Sequence, residues 1–231
     1  MRTPSVAALF SDTQPQPQRK SDSGRPAAEA RTASPLVTKL VAARAKLSAM
    51  AKVYDGIDEK LGAWITKQPV FFVGTAPLSV DGHVNVSPKG MAGTFAVLGP
   101  RRVAYLDYFG SGAETVAHLR ENGQIVIMFC AFEGPPKIVR LHGRGRVVLP
   151  ADPEFPLLRK EFRKERTHAQ RSVIVVDLDR VADSCGYSVP RMAFVEDRTV
   201  LDLHQIKKPA SYYDQYWGER NSASIDGLPT R

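Results

Sequence analysis

The chain has 231 residues, 43% of them hydrophobic, with a formal net charge of +8 and a pI near 9.6. That is enough apolar material for one well-packed domain of ordinary size plus appendages. No apolar run reaches the ~18 residues of a membrane span and no compact secretory core follows the N-terminus, so a soluble mature protein is expected.

Residues 1–49 carry eight basic side chains against three acidic ones, which leaves the remainder at only +3. The basicity therefore belongs to the leader, and the near-neutral remainder argues against a nucleic-acid or membrane-surface partner. The leader is rich in Ser, Pro, Gln, Ala and Arg, with Phe10 its one aromatic residue, and is expected to be disordered. Two readings of it stand. Residues 36–47 form the amphipathic helix of an organelle transit segment, or Met50 is the true initiator, since ordered patterning starts near it. The compartment is read as cytoplasmic, with an organelle as the alternative if 1–49 is a transit peptide. Residues 50–220 are assigned to a single domain and 221–231 to a C-terminal arm.

The ordered part opens with a short helix over 58–65, where Leu61, Trp64 and Ile65 share one face, and Pro69 ends it. Strands follow at 70–75, 83–87, 102–107, 124–132 and 137–149, with turns at Asp81-Gly82 and at Glu133-Gly134-Pro135-Pro136. A helix starts near Ala113. A charged helix is expected over 152–166, with Phe155, Leu158 and Phe162 on one side, and then a β-branched strand over 172–178. Residues 199–217 read as helical. Several strands in succession with one well-defined helix among them predict a mainly β fold, an antiparallel barrel with flanking helices. No GxGxxG follows the first strand, which removes a Rossmann sheet.

Two segments carry the chemistry. Asn85-Val86-Ser87-Pro88-Lys89-Gly90 ends an expected strand in a hydroxyl, a cation and a glycine. About twenty residues on, a strand ending in Asp107 runs through Gly110-Ser111-Gly112 into the helix that holds Thr115. A phosphate needs fixed cations, hydroxyls and unpaired backbone N–H groups. Lys89 offers charge, and Ser87, Ser111 and Thr115 offer hydroxyls. Gly110 and Gly112 permit close approach, and the helix start adds its field. An N-cap at Ser111 and a plain turn at 87–90 explain the same spacing equally well.

Beyond the residues themselves, the chain from Met50 onward resembles the pyridoxamine 5'-phosphate oxidase-related flavoproteins. The likeness lies in the order of Phe72-Val73-Gly74-Thr75-Ala76, Val84 to Gly90, Val103 to Asp107, Gly110-Ser111-Gly112 with Thr115, His118 to Gly123, and Leu141-His142-Gly143-Arg144-Gly145-Arg146-Val147. The resemblance implies an FMN-binding split β-barrel, a homodimer with FMN at the subunit interface. It implies that Ser87 and Lys89 line the flavin from the second strand, beside Asn85 and Gly90. Ser111, Gly112 and Thr115 would hold the phosphate, and Asp107 would sit near the ribityl chain or ring edge.

The chain also departs from the oxidase that names the family. Asn85 and Lys89 stand where that enzyme uses two cations. Ile138 takes the place of a glutamine, and residues 193–198 replace its C-terminal substrate segment, with Arg198 as the one counterpart left. The expected activity is therefore an FMN-dependent oxidoreductase acting on a small organic substrate other than pyridoxamine phosphate. A non-catalytic binder of haem or flavin, or a deazaflavin-dependent reductase, is the alternative on the same fold.

The five histidines show no triad or metal spacing, so no catalytic residue and no metal is assigned. His118 is read as surface or packing. His142 and Arg140 share the strand face opposite the core. Cys130 and Cys185 lack CxxC spacing and are read as free thiols. The bases of 159–166 interleave with acids, which predicts i,i+4 pairing and not a phosphate stripe. Tyr212, Tyr213, Tyr216 and Trp217 bury area against the barrel or, the preferred reading, across a dimer. The arm beyond Asn221 crosses the partner subunit, covers the flavin mouth, or is a free tail.

Overall fold

In the computed structural model, residues 52–231 are described, and the readings of the leader lie outside them. Eight strands form one antiparallel sheet: β1 (Val53–Tyr54), β2 (Phe71–Thr75), β3 (Asn85–Lys89), β4 (Phe95–Gly99), β5 (Arg102–Tyr108), β6 (Gln124–Cys130), β7 (Ile138–Val148) and β8 (Gln170–Ser184). Their order is β3-β2-β6-β7-β8-β5-β4, with β1 paired to β8. No ladder joins β3 to β4, yet the Phe95 ring of β4 stands 5.2 Å from Phe71 of β2 and 5.1 Å from Phe129 of β6. The sheet thus curls until its β4 end packs across the interior against β2 and β6, giving a split β-barrel. Proline is excluded from central strands because it lacks an N–H, and Pro88 sits in the edge strand β3.

The barrel interior is filled by Val73, Ile127, Val139, Leu141, Ile174 and Val176, all with no accessible surface. A second layer, with Ala104, Leu106, Val148, Phe162, Val173 and Val175, covers the other face of β5 and β8. The run 173–176 is consequently buried on both faces, which is why it is continuously apolar instead of alternating.

Helix α1 (Glu59–Thr66) starts where the Asp58 carboxylate accepts the Leu61 N–H at 2.7 Å. Helix α2 (Glu114–Glu121) links β5 to β6 and lies on β7. Gly123, at φ +71°, ends it in the left-handed conformation that glycine adopts without cost. Gly145 of β7 lets it approach, since a Cβ there would stand 2.8 Å from Leu119 Cδ2. Three short elements complete the chain: α3 (Phe155–Arg159), α4 (Val200–Gln205) and α5 (Ala210–Arg220).

Three expectations are corrected. The charged helix over 152–166 shrinks to α3, because the Arg159 guanidinium donates to the main-chain carbonyls of Phe162, Lys164 and Arg166, while Lys164 and Arg166 pair with Asp202 of α4. The expected i,i+4 pairs are replaced by these tertiary ones. The segment 199–217 is two helices, not one, broken at Pro209, where a missing N–H and a fixed φ restart the chain. Strand β4 has no counterpart among the expected strands: its sequence, Phe95-Ala96-Val97-Leu98-Gly99, is a short apolar run without alternation.

Candidate functional site

Alternation along β3 turns Asn85, Ser87 and Lys89 to one face and Val86 and Pro88 to the other. That face looks onto the start of α2 and the end of β5. Two hydrogen-bonded clusters form there, one reaching Gly112 just before α2 and the other Thr115 in its first turn.

The first cluster is charged. Lys89 Nζ donates to Asp107 Oδ1 at 3.2 Å, and Arg171 Nε donates to Asp107 Oδ2 at 2.7 Å, with the Ser172 hydroxyl at 3.3 Å. Arg171 Nη1 also donates to the Gly112 carbonyl at 2.8 Å and to Asn221 Oδ1 at 3.0 Å. The Asp107 and Arg171 side chains are enclosed, whereas Lys89 keeps a quarter of its surface open. Burial alone would raise the Asp107 carboxyl; the Arg171 guanidinium and the Lys89 ammonium outweigh it and bring the pKa down to about 2. Two cations share this one carboxylate, with the Glu114 carboxylate near enough to act on Arg171, and Lys89 is the cation that reaches solvent.

The second cluster is neutral. Asn85 Nδ2 donates to the hydroxyls of Thr75 and Thr115, both at 3.1 Å, while Asn85 Oδ1 accepts from Ser87 at 3.0 Å. Thr75 Oγ1 lies 3.0 Å from His118 Nδ1. His118 has no accessible surface, and burial pushes its imidazole below the usual value, so it is neutral at pH 7. The other ring nitrogen, Nε2, has no partner among the described residues.

Helix α2 begins without a side-chain cap. Its N-cap position is Ala113, not Ser111, and the exposed Ser111 hydroxyl caps nothing. The orphan N–H groups of that first turn therefore remain available to an anion. The Glu114 carboxylate leans over Gly112, where a Cβ would meet it. Gly90 plays a different part: its carbonyl accepts from Thr94 Oγ1 at 2.9 Å and shapes the turn after β3.

Of the sequence-derived candidates, Lys89, Asp107 and Gly112 come together in one cluster and Asn85, Ser87 and Thr115 in the other. Asp107 lies beneath Lys89, saturated by protein donors. Arg171, the hub of the charged cluster, escaped the sequence reading. Asp107 pairs with Ser172 and Tyr108 with Gln170, so Arg171 is the unpaired residue of a β-bulge, which aims it at Asp107. The strand pattern carries no signal of that bulge.

The C-terminal arm closes the site within its own chain. Asn221 is fully buried between Arg171 and the Gly110 carbonyl, to which its Nδ2 donates at 3.2 Å. Trp217 Nε1 donates to Thr230 Oγ1 at 3.0 Å, and Asp226 accepts from the His83 backbone at 2.8 Å and lies 2.7 Å from His83 Nδ1. The arm is thus neither extended nor free. Tyr213 and Trp217 are likewise buried against Phe109 of the same chain. Among the described residues, no three His, Cys, Asp or Glu side chains gather to hold a metal ion, and no helix is long and apolar enough to cross a membrane.

The family model for pyridoxamine 5'-phosphate oxidase matches residues 57–185. A pyridoxamine 5'-phosphate oxidase family protein of Aspergillus flavus, ustO, is 38% identical over 190 residues, covering 76% of each chain. Among solved structures, HupZ of Group A Streptococcus is similar at 18% identity with a TM-score of 0.45, covering 55% of this chain and 98% of that one. A putative pyridoxamine 5'-phosphate oxidase of Corynebacterium glutamicum is similar at 8% identity with a TM-score of 0.39, covering 58% of this chain and 98% of that one.

Proposed function

The chain belongs to the pyridoxamine 5'-phosphate oxidase family, and on that premise we propose that it is a homodimeric FMN-binding oxidoreductase acting on a small organic substrate other than pyridoxamine phosphate. The observation that carries the proposal is the convergence of both clusters on the uncapped start of α2, where Lys89 presents a partly open ammonium.

These residues fit a flavin phosphate. Lys89 supplies a charge-assisted hydrogen bond, the first turn of α2 supplies N–H donors, and Ser111 and Thr115 supply hydroxyls. Arg171 and Asp107 position Lys89 and pin the Gly112 carbonyl, so the loop 110–112 is held open without touching the ligand itself. Ser87 and Asn85, locked to Thr75 and Thr115, offer a preorganised polar edge to the sugar-like chain and ring. When bound, the flavin supplies hydride or electron transfer, and the protein has only to hold a donor beside it and exclude water. No side chain of the site is placed to act as a dedicated acid or base: Asp107 is ionised and saturated, and His118 is neutral and enclosed.

A substrate other than pyridoxamine phosphate is supported by Ile138 at the start of β7, which cannot hydrogen-bond a flavin edge, and by residues 193–198, which lie outside any helix or strand and hold Arg198 as their one cation. A dimer is supported by the outer face of the edge strand β3, where Val84 and Val86 stand exposed beside Leu78 and Val80.

The test is the absorption spectrum of the purified full chain, with the mass of whatever heat releases. Yellow protein that yields FMN near one per subunit upholds the proposal. An intense Soret band, a released deazaflavin, or a colourless protein that takes up no added FMN contradicts it.

A further inference from the structure

The loop between β5 and α2 is held by its carbonyls. Arg171 Nη1 donates to the Gly112 carbonyl at 2.8 Å. Asn221 Nδ2 donates to the Gly110 carbonyl at 3.2 Å, where the Tyr216 hydroxyl also donates at 3.3 Å. In a planar trans peptide the C=O and the following N–H point in opposite directions. Anchoring these two carbonyls on Asn221 and Arg171 therefore turns the N–H groups of Ser111 and Ala113 away from those side chains. Neither N–H has a partner among the described residues, and both lie immediately before the uncapped first turn of α2.

Asn221 and Arg171 act as one unit. Arg171 Nη1 donates to Asn221 Oδ1 at 3.0 Å, which identifies the oxygen end of that amide and leaves Nδ2 to face the carbonyls of Gly110 and Arg220. Both side chains are enclosed. The rest of the C-terminal arm keeps Asn221 in place. Its N–H donates to the Trp217 carbonyl at 3.0 Å, and its own carbonyl accepts from the Thr230 hydroxyl, which in turn accepts from Trp217 Nε1 at 3.0 Å. Farther along, Asp226 accepts from the His83 N–H at 2.8 Å, two residues before Asn85 of β3. The buried residues of the arm are Asn221, Ser224 and Thr230, all polar. Apolar burial therefore does not explain why the arm docks, whereas a hydrogen-bonded scaffold around Asn221 does.

We propose that Asn221 is a positioning residue of the anion site. Without touching the ligand, it fixes with Arg171 the direction of the Ser111 and Ala113 N–H groups, so that these donors and Lys89 address one phosphate. The inference rests on the flavin reading, and it gives the arm a part in selecting the phosphorylated flavin.

The test compares FMN and riboflavin binding to the apo full chain and to its Asn221→Ala variant. FMN affinity is expected to fall about tenfold, the lower end of what one hydrogen bond to a charged group is worth. Riboflavin, which does not use these donors, should bind both proteins alike, so the preference for FMN shrinks by the same factor. Inorganic phosphate, titrated alone and followed by nuclear magnetic resonance, should shift the Ser111 and Ala113 amides of the wild type and bind the variant more weakly. If Asn221→Ala does not fold, Asn221→Leu, uncharged and close in shape, carries the same comparison. An undiminished preference for FMN in the variant, or the equal loss of FMN and riboflavin that a merely structural role would give, would overturn the role of Asn221 and leave the flavin reading standing. Equal affinity of the wild type for the two flavins would remove that reading and this inference with it.

Discussion

Asp107 is shared by two cations, and their removal has different consequences. Arg171→Ala leaves an enclosed carboxylate with only Lys89 and frees the Gly112 carbonyl and Asn221, so a loss of about 3–5 kcal/mol in denaturant unfolding is expected. Lys89→Ala leaves the buried Asp107–Arg171 pair intact. It should cost little stability and weaken FMN roughly ten- to hundredfold, the range of one hydrogen bond to a charged group. Equal stability losses in the two variants would contradict this division of roles. The same pair predicts an acid limb. The folded Asp107 value, about 2, lies below its ordinary 3.8, so its contribution is fully present above about pH 4 and is lost as pH falls towards 2. The expected size is about 2 kcal/mol, read as the difference between wild type and Asp107→Asn in unfolding free energy at pH 6 and pH 2.5. At this scale the sequence showed which residues of β3 share a face, because alternation is a local property. It could not show Arg171, since a bulge is set by pairing with a strand about sixty residues away. His118 was read as surface or packing; packing it is, though in a polar network that needs Thr75 from another strand.

Among the elements, α2 does most to place the site, and its position depends on Gly145. Gly145→Val puts a side chain against Leu119, and overpacking of this kind costs about 1–3 kcal/mol. Because the same shift displaces the first turn of α2, FMN affinity should fall in parallel with stability, measured by fluorescence titration at a temperature where the variant is folded. Unchanged affinity in a destabilised variant would mean that α2 does not position the ligand. Strands β2, β5, β6 and β7 were legible because each carries several residues of clear patterning between turn signals. Strand β8 was found in its apolar middle but runs to Ser184, since beyond the polar Asp179-Arg180 it is held by pairing with β7 and β1, not by composition. The fate of residues 152–166 was hidden for a related reason: the bases pair with Asp202, thirty-six and thirty-eight positions on, and local charge alternation suggested a helix instead.

Across the whole molecule, the barrel is split where β3 and β4 fail to pair, and the outer face of β3 is apolar. An association through that face predicts that Val86→Asp halves the mass seen by sedimentation velocity and lowers FMN affinity; an unchanged mass would exclude β3 from the interface. Antiparallel barrel architecture was readable from the succession of strands, and the family resemblance supplied its split form. The C-terminal arm was not readable. Its polar sequence looks unable to pack, yet Asn221 and Thr230 are fully buried because they satisfy Arg171, Gly110 and Trp217 at long range. On the proposed function, the start of α2 and Lys89 hold a flavin by its phosphate. Paired titrations of the apo full chain with FMN and with riboflavin, which lacks only that phosphate, test it most directly. FMN should bind at least a hundredfold more tightly, the equivalent of about 3 kcal/mol; equal affinity for the two would contradict the account.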